Sequence, residues 1–280
     1  MIYMRIWEGL GNQLFQYACI RALQLRNHEA VRLCVLPDQG NRTVRHYSLD
    51  KLMITIPRGR LFERFALCME RSKVIKKIIL LITEKQNLVG FVEEDSVRYK
   101  DYLRNLHGNY YLSGWFQNEK YFSDFAEVIR KEIRPKKKIK ISRELRGILQ
   151  NENTVSVHIR RGDFSRFDNM LDMEYYKKAF AMIEERLADV FYVVFSDDLI
   201  WVMENMHFGN NVYYVNQDGQ LEDYEELFIM SRCKHHIIAN STFSWWGAWL
   251  DRNEDKIVIG PKQWFARKKI NIMPDAWIKV

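Results

Sequence analysis

The stretch Val155-Ser156-Val157-His158-Ile159-Arg160-Arg161-Gly162-Asp163 ends an apolar strand in two cations, a glycine and a carboxylate. Alternate residues of a strand share a face, so Val155, Val157 and Ile159 point one way and Ser156, His158 and Arg160 the other. In an open α/β sheet, ligands gather at the carboxyl ends of strands, which aims His158 and Arg160 at a ligand. Arg161 points away or begins the loop. An arginine fork is always charged and donates two parallel hydrogen bonds, which suits a phosphate. The bland alternative is an ordinary strand whose arginines pair with carboxylates.

Three further stretches carry weaker chemistry. Ile237-Ile238-Ala239-Asn240-Ser241-Thr242-Phe243 runs from a buried strand into a helix, with Asn240 or Ser241 as a natural N-cap. The N–H groups behind such a cap make an anion site, although a capped helix and nothing more explains the same residues. Trp245, Trp246 and Trp249 read as core in preference to a sugar platform. Val193-Val194-Phe195-Ser196-Asp197-Asp198 ends a strand in two carboxylates. Adjacent aspartates point to opposite sides and chelate a metal poorly, so one of them accepts hydrogen bonds from a base or ribose, or one caps the next helix. Near the start, Gly9-Leu10-Gly11-Asn12-Gln13 opens a helix after a strand. Leu14 replaces the third glycine of a dinucleotide fingerprint, but two glycines still let the backbone approach a ligand.

These residues need parallel sheets to hold them. Residues 1–7, Ala30–Val35 and Tyr110–Ser113 read as strands of a first half, with helices to about Asn27, over Arg60–Thr83 and from Asn118 to Lys131. The second half alternates more regularly. Strands are expected at Thr154–Ile159, Phe191–Phe195, Val212–Val215, His236–Ala239 and Lys256–Ile259. Helices at Tyr175–Arg186, Leu221–Ser231 and Phe243–Leu250 fall between them. That is the pattern of an α/β protein with right-handed crossovers. The run Arg134-Pro135-Lys136-Lys137-Lys138 is the linker candidate, and domains of 1–150 and 151–280 are expected.

The 280-residue chain carries 43 Lys+Arg against 36 Asp+Glu. About 28 of those cations lie in the first 150 residues, against about 16 acids, so the halves differ in charge as two modules would. The basic excess alone leaves nucleic acid open, but there is no recognisable binding module, and no nucleic-acid partner is expected. Cys19, Cys34, Cys68 and Cys233 show no metal or disulfide spacing and read as reduced thiols of a cytoplasmic protein. No apolar run reaches the length needed to span a bilayer, and the N-terminus lacks a signal pattern.

Together, Gly9-Leu10-Gly11-Asn12-Gln13-Leu14-Phe15-Gln16-Tyr17-Ala18, Gly114-Trp115-Phe116-Gln117 with Lys120-Tyr121-Phe122, His158-Ile159-Arg160-Arg161-Gly162-Asp163 and Asn240-Ser241-Thr242-Phe243-Ser244-Trp245-Trp246 resemble glycosyltransferase family 11, the α-1,2-fucosyltransferases. The resemblance implies a GT-B-like fold: two Rossmann-type domains whose parallel sheets face a nucleotide-sugar cleft, with the first on the acceptor side and the second binding the GDP-sugar. It also implies inverting, metal-independent transfer of fucose from GDP-β-L-fucose to the 2-hydroxyl of a galactoside, with no cofactor. By similarity, Arg160 binds the β-phosphate, His158 the nucleoside, and one of Asp197 and Asp198 the guanine. Ser241, Thr242 and Phe243 hold the pyrophosphate and nucleotide beside Asn240, and the backbone of Gly9, Gly11 and Asn12 closes over it.

The proton acceptor for the attacking hydroxyl is expected on a loop. Asp168 ranks first, with Asp172, Glu8 and Asp163 behind it, and the donor phosphate itself as a further alternative. Glu8 stands where bacterial relatives often carry a small residue. The acceptor is expected to be a galactoside-terminated, lipid-linked oligosaccharide of a surface glycan. The basic, apolar Arg60–Thr83 segment fits peripheral contact with an anionic membrane.

Overall fold

The computed structural model describes residues 1–36, 46–71, 89–94, 98–162, 170–265 and 270–280, and of 68–71 the backbone alone. The chain divides into two compact units, Met1–Lys136 and Lys137–Val280. The division lies inside the basic run after Pro135, not at residue 150. The reason is packing: Leu145 and Leu149 are buried with Val193 and Phe195, which commits residues 137–150 to the second unit.

The first unit is built on four parallel strands in the order β2 (Val31–Val35), β1 (Ile2–Ile6), β4 (Tyr110–Gly114), β3 (Gly90–Glu94). Along β1 burial alternates, with Ile2, Met4 and Ile6 fully inside. The long helix α1 (Leu10–Asn27) follows β1 and buries Leu14, Phe15, Ala18 and Leu23. It is clamped by Arg21, whose guanidinium pairs with Glu132 at 2.7 Å at the end of a short helix. The helix expected from Asn118 resolves into two 3₁₀ turns before Ala126–Glu132, because Asn118 caps the first turn by accepting from the Lys120 N–H. Of the Arg60–Thr83 segment, α2 (Arg60–Arg71) is a helix, and residues 72–83 lie outside the described residues.

The second unit has six parallel strands in the order β10 (Ile278–Lys279), β9 (Val258–Gly260), β8 (His235–Ile237), β5 (Thr154–Ile159), β6 (Phe191–Ser196), β7 (Val212–Tyr214). Strand β5 is central and every residue in it is buried. Val155, Val157 and Ile159 pack on one face against Tyr175, Tyr176, Ala179 and Ile183 of the helix Met173–Glu184. On the other face, Val193 and Phe195 pack against Ile229 and Met230 of the helix Asp223–Met230. Register places Ser156 opposite Val193 and His158 opposite Phe195, so the expected division of faces holds. Trp245 and Trp246 are fully buried and Trp249 nearly so, which makes them core as expected. Cys19, Cys34 and Cys233 are buried free thiols. Among the described residues, no helix is long and apolar enough to cross a membrane.

Candidate functional site

At the carboxyl edge of the second unit's sheet, three strand ends converge. After β5, the Arg160 Nε lies 3.1 Å from Oδ2 of Asp197, which follows β6. The other oxygen of Asp197 accepts the backbone N–H of Arg161 at 2.8 Å. One carboxylate therefore fixes both the guanidinium plane of Arg160 and the turn that follows. Gly162 belongs to that turn, since a Cβ there would meet Asp197 Oδ2 at 2.8 Å.

Arg161 takes a different direction. Its guanidinium lies 3.4 Å from the Trp201 ring centroid and 3.4 Å from Asp198. Asp198 in turn caps the helix Leu199–Asn205 by accepting from the Trp201 N–H. The adjacent aspartates thus split their work: Asp198 is the cap, and Asp197 orients the arginine.

His158 is 5% exposed, and its Nδ1 has no hydrogen-bond partner among the described residues. Burial first, and the neighbouring Arg160 charge second, hold its pKa down to about 3, so the ring is neutral at physiological pH. Its ring faces Phe243 at 5.7 Å. Phe243 sits in the first turn of the helix Thr242–Leu250, whose N-cap residue Ser241 makes no side-chain cap bond. The helix start therefore presents backbone N–H groups at the same edge. Asn240, just before that helix, donates to the Trp264 carbonyl at 3.3 Å. The helix is pinned from behind by a buried chain: Ser156 Oγ lies 2.7 Å from His236 Nδ1, and His236 Nε2 lies 3.1 Å from Asp251.

A residue not anticipated from sequence joins this edge. Glu226, on the helix Asp223–Met230, has its carboxyl pKa pushed up to about 7 by burial, with Asp223 and Asp197 adding repulsion. Asn216 donates to it. Nothing in the acidic run Glu222-Asp223-Tyr224-Glu225-Glu226 distinguishes it, because Glu225 and Glu226 are both half-buried and differ in partner, the helix cap for Glu225 and Asn216 for Glu226. Of the proposed proton acceptors, Asp172 caps the helix Met173–Glu184 by accepting from the Tyr175 N–H at 2.8 Å. Asp163 and Asp168 lie outside the described residues. Among the described residues no three His, Cys, Asp or Glu side chains are grouped as a metal site.

The first unit's carboxyl edge is made differently. The left-handed residue of the first loop is Glu8, at φ 66°, while Gly9 is extended at φ −67°. That region favours glycine, so the Glu8 side chain is held there at a cost. Gln13 bridges the loop, donating to the carbonyls of Glu8 and His46 at 2.7 Å and accepting from the Ser48 N–H. Gln16 accepts from the Trp7 N–H at 3.0 Å and donates to the Gly114 carbonyl at 3.1 Å. Asn12 accepts from Gln117 at 2.7 Å. The Gly9–Ala18 and Gly114–Gln117 motifs, about a hundred residues apart in sequence, are one cluster in space. The buried glutamines of α1, three residues apart on a helix otherwise apolar at this face, were the legible signal for it.

The family model for glycosyl transferase family 11 matches residues 91–279. The chain is 33% identical, over the full length of both proteins, to the O-antigen biosynthesis glycosyltransferase WbnK of Escherichia coli. It is 29% identical to an α-1,2-colitosyltransferase of Escherichia coli, covering all of this chain and 99% of that one. It is 25% identical to the galactoside 2-α-L-fucosyltransferase Sec1 of Mus musculus, over 89% of this chain and 64% of the relative. A solved structure of a mutant of Arabidopsis thaliana FUT1 in complex with GDP superposes with a TM-score of 0.51 at 10% identity, covering 94% of this chain and 72% of that one. Two parallel α/β units with that likeness make the fold GT-B-like, as the sequence motifs implied.

Proposed function

Because the chain belongs to glycosyl transferase family 11, we propose that it transfers L-fucose from GDP-β-L-fucose to the 2-hydroxyl of a terminal galactoside during the building of a surface glycan. The observation that carries this reading is the second unit's carboxyl edge: an oriented arginine, a helix start and a buried neutral histidine with an unpartnered nitrogen. A nucleoside diphosphate has complementary chemistry. Its β-phosphate takes the guanidinium of Arg160, and the N–H groups from Ser241 to Phe243 take the remaining phosphate oxygens. The neutral ring of His158 serves the nucleoside as a hydrogen-bonding group without adding charge. A carboxylate accepts the two N–H groups along one edge of guanine, and the half-buried Glu226 is available for this at the same edge, with Asp197 held by Arg160.

In the transfer, the galactoside O2 attacks the anomeric carbon from the face opposite the pyrophosphate. The bond from that carbon to the phosphate oxygen breaks, GDP departs with the electron pair, and β becomes α. Arg160 and the helix start meet the charge growing on the leaving phosphate, which is the role a divalent ion fills elsewhere. Asp172 is engaged as a helix cap, so the proton from O2 goes to Asp168, Asp163 or Glu8, of which Glu8 is the one among the described residues. A lipid-linked acceptor would place the enzyme at a membrane surface. The exposed Leu61 and Phe65 beside Arg60 and Arg64 on α2 suit such contact. Absence of any cosedimentation with anionic vesicles at low salt would remove that part.

A second donor is favoured by the relative named as a colitosyltransferase, since colitose is fucose without its 3-hydroxyl. The experiment is to offer GDP-fucose and GDP-colitose separately with a panel of β-galactosides and determine the product linkage. An α-1,2-fucosyl galactoside is expected. Turnover of GDP-colitose alone would establish the second reading, and no product from either donor would refute both.

A further inference from the structure

Two tryptophans stand at the first unit's carboxyl edge, Trp7 just past β1 and Trp115 just past β4. Both are partly exposed, and their rings meet at 4.7 Å with planes inclined by 38°. The Arg5 guanidinium lies over the Trp7 ring at 5.0 Å. Each tryptophan is followed directly by a residue forced into the left-handed region: Glu8 at φ 66° and Phe116 at φ 50°. Two such residues without glycine, one beside each ring, persist only where the surroundings over-determine them.

The surroundings do so. Gln16, wholly buried, ties the Trp7 N–H to the Gly114 carbonyl, which also accepts from the Trp7 indole N–H at 3.3 Å. Glu94, 2% exposed at the end of β3, accepts the N–H groups of both Trp115 and Phe116 at 3.0 Å through one oxygen. A buried carboxylate and a buried amide therefore hold the two rings in place, while the Asn12–Gln117 amide pair lies beside them in the same loops. Rings needed only for the core would be covered, as Trp245 and Trp246 are. These rings are held rigidly and left partly open.

We infer that Trp7 and Trp115 form a stacking ledge for a neutral pyranose ring, the acceptor subsite of the transfer reaction. The apolar face of a galactoside, with its row of axial C–H groups, packs on an aromatic plane, and its hydroxyls suit amide and carboxylate side chains at the rim. Trp7 and Glu8 would then set which acceptor is taken. The inference rests on the transferase reading for its reaction, though binding of the sugar can be tested without any turnover.

The test uses the full chain and two readouts. The first is saturation-transfer NMR with methyl β-D-galactopyranoside on the wild type, Trp7→Ala, Trp115→Ala and Trp115→Phe. The second is steady-state kinetics with GDP-fucose and N-acetyllactosamine. The wild type should transfer saturation to the galactose ring protons, and either alanine variant should abolish it. Acceptor KM should rise at least tenfold in the alanine variants, with partial rescue in Trp115→Phe. Donor KM and acceptor-free hydrolysis of GDP-fucose should stay within twofold. Trp115→Phe keeps a ring in place, so it decides the matter if an alanine variant fails to fold. A wild type that binds the galactoside through these rings yet transfers nothing would keep the ledge and refute the reaction. Unchanged saturation transfer and unchanged acceptor KM in the variants would overturn the ledge and leave the reaction standing.

Discussion

The two units end in the same local device and fill it with opposite chemistry. In each, parallel strands deliver a loop and a helix start to the carboxyl edge of the sheet. In the second unit that edge is charged, with Arg160 on Asp197 and Arg161 on Asp198. In the first, amides and aromatic rings predominate: Gln13 and Gln16 hold the loops, Trp7 lies against Trp115, and the buried Glu94 is spent on backbone N–H groups. Topology chooses where a ligand sits, and side chains choose which ligand. The arginine-bearing edge suits an anionic nucleotide, the amide and aromatic edge a polyhydroxylated sugar.

The sharpest way to break this contrast is to remove the oriented cation. Arg160→Ala should lower kcat by roughly 10²–10³-fold, about 3–4 kcal/mol of lost transition-state stabilisation, in single-turnover measurements. Arg160→Lys should recover only part, because an ammonium lacks the planar fork. Acceptor KM should hardly move; a variant that loses acceptor affinity and keeps kcat would reverse the assignment of the two edges.

At the amide and aromatic edge the largest effect should be on stability. Gln16→Ala strands the Trp7 N–H and a contact to the Gly114 carbonyl in a buried site. The cost should be about 2–4 kcal/mol in urea unfolding. An unfolding midpoint equal to the wild type would show that the two motif segments are held by something else.

Much of the charged edge was legible in sequence, because strand alternation places His158 and Arg160 on one face whatever follows. The partnering of the aspartates was not. Asp197 and Asp198 are the same residue type one position apart, and only the direction of the chain after β6 makes one a cap and the other an orienting group. Glu226 was hidden for a similar reason, since only the fold sets it against Asn216 and near Asp197 while Glu225 closes the helix cap. In the first unit, the motif glycines drew attention, yet the strained residue is Glu8 and the structural work belongs to Gln13 and Gln16. The strand Gly90–Glu94 was missed because it ends in two carboxylates, and β10 because it has two residues. The helices Arg143–Ile148 and Leu199–Asn205 are too short to show a period.

Glu226 sharpens the contrast on a smaller scale, through pH. Its pKa is about 7 in the folded chain against an ordinary 4.5, so the folded state holds the extra proton between those values. Stability from this group is full below pH 4.5 and is lost as pH rises through about 7. Glu226→Gln should therefore raise Tm at pH 8 by a few degrees, corresponding to roughly 1 kcal/mol. The same variant should weaken GDP binding about tenfold at pH 8, and wild-type affinity should climb as the carboxylate ionises near pH 7. A variant that is stabilised but binds GDP normally would remove Glu226 from the guanine subsite.

The smallest effect is expected at Asp172. As an N-cap, it should tolerate Asn with little change, while Asp172→Ala should cost about 1 kcal/mol of stability and leave kcat nearly intact. A collapse of kcat in Asp172→Asn with normal folding would make it the proton acceptor after all.

The most direct measurement is a calorimetric titration of the full chain with GDP in excess EDTA, on the wild type and on Arg160→Ala. Saturable binding without metal is expected for the wild type, weakened at least tenfold by the substitution, since a charge-assisted contact to the β-phosphate is lost. Binding that requires added Mn²⁺, or that is indifferent to Arg160→Ala, would contradict a nucleotide site built from this chain's own cation and helix start.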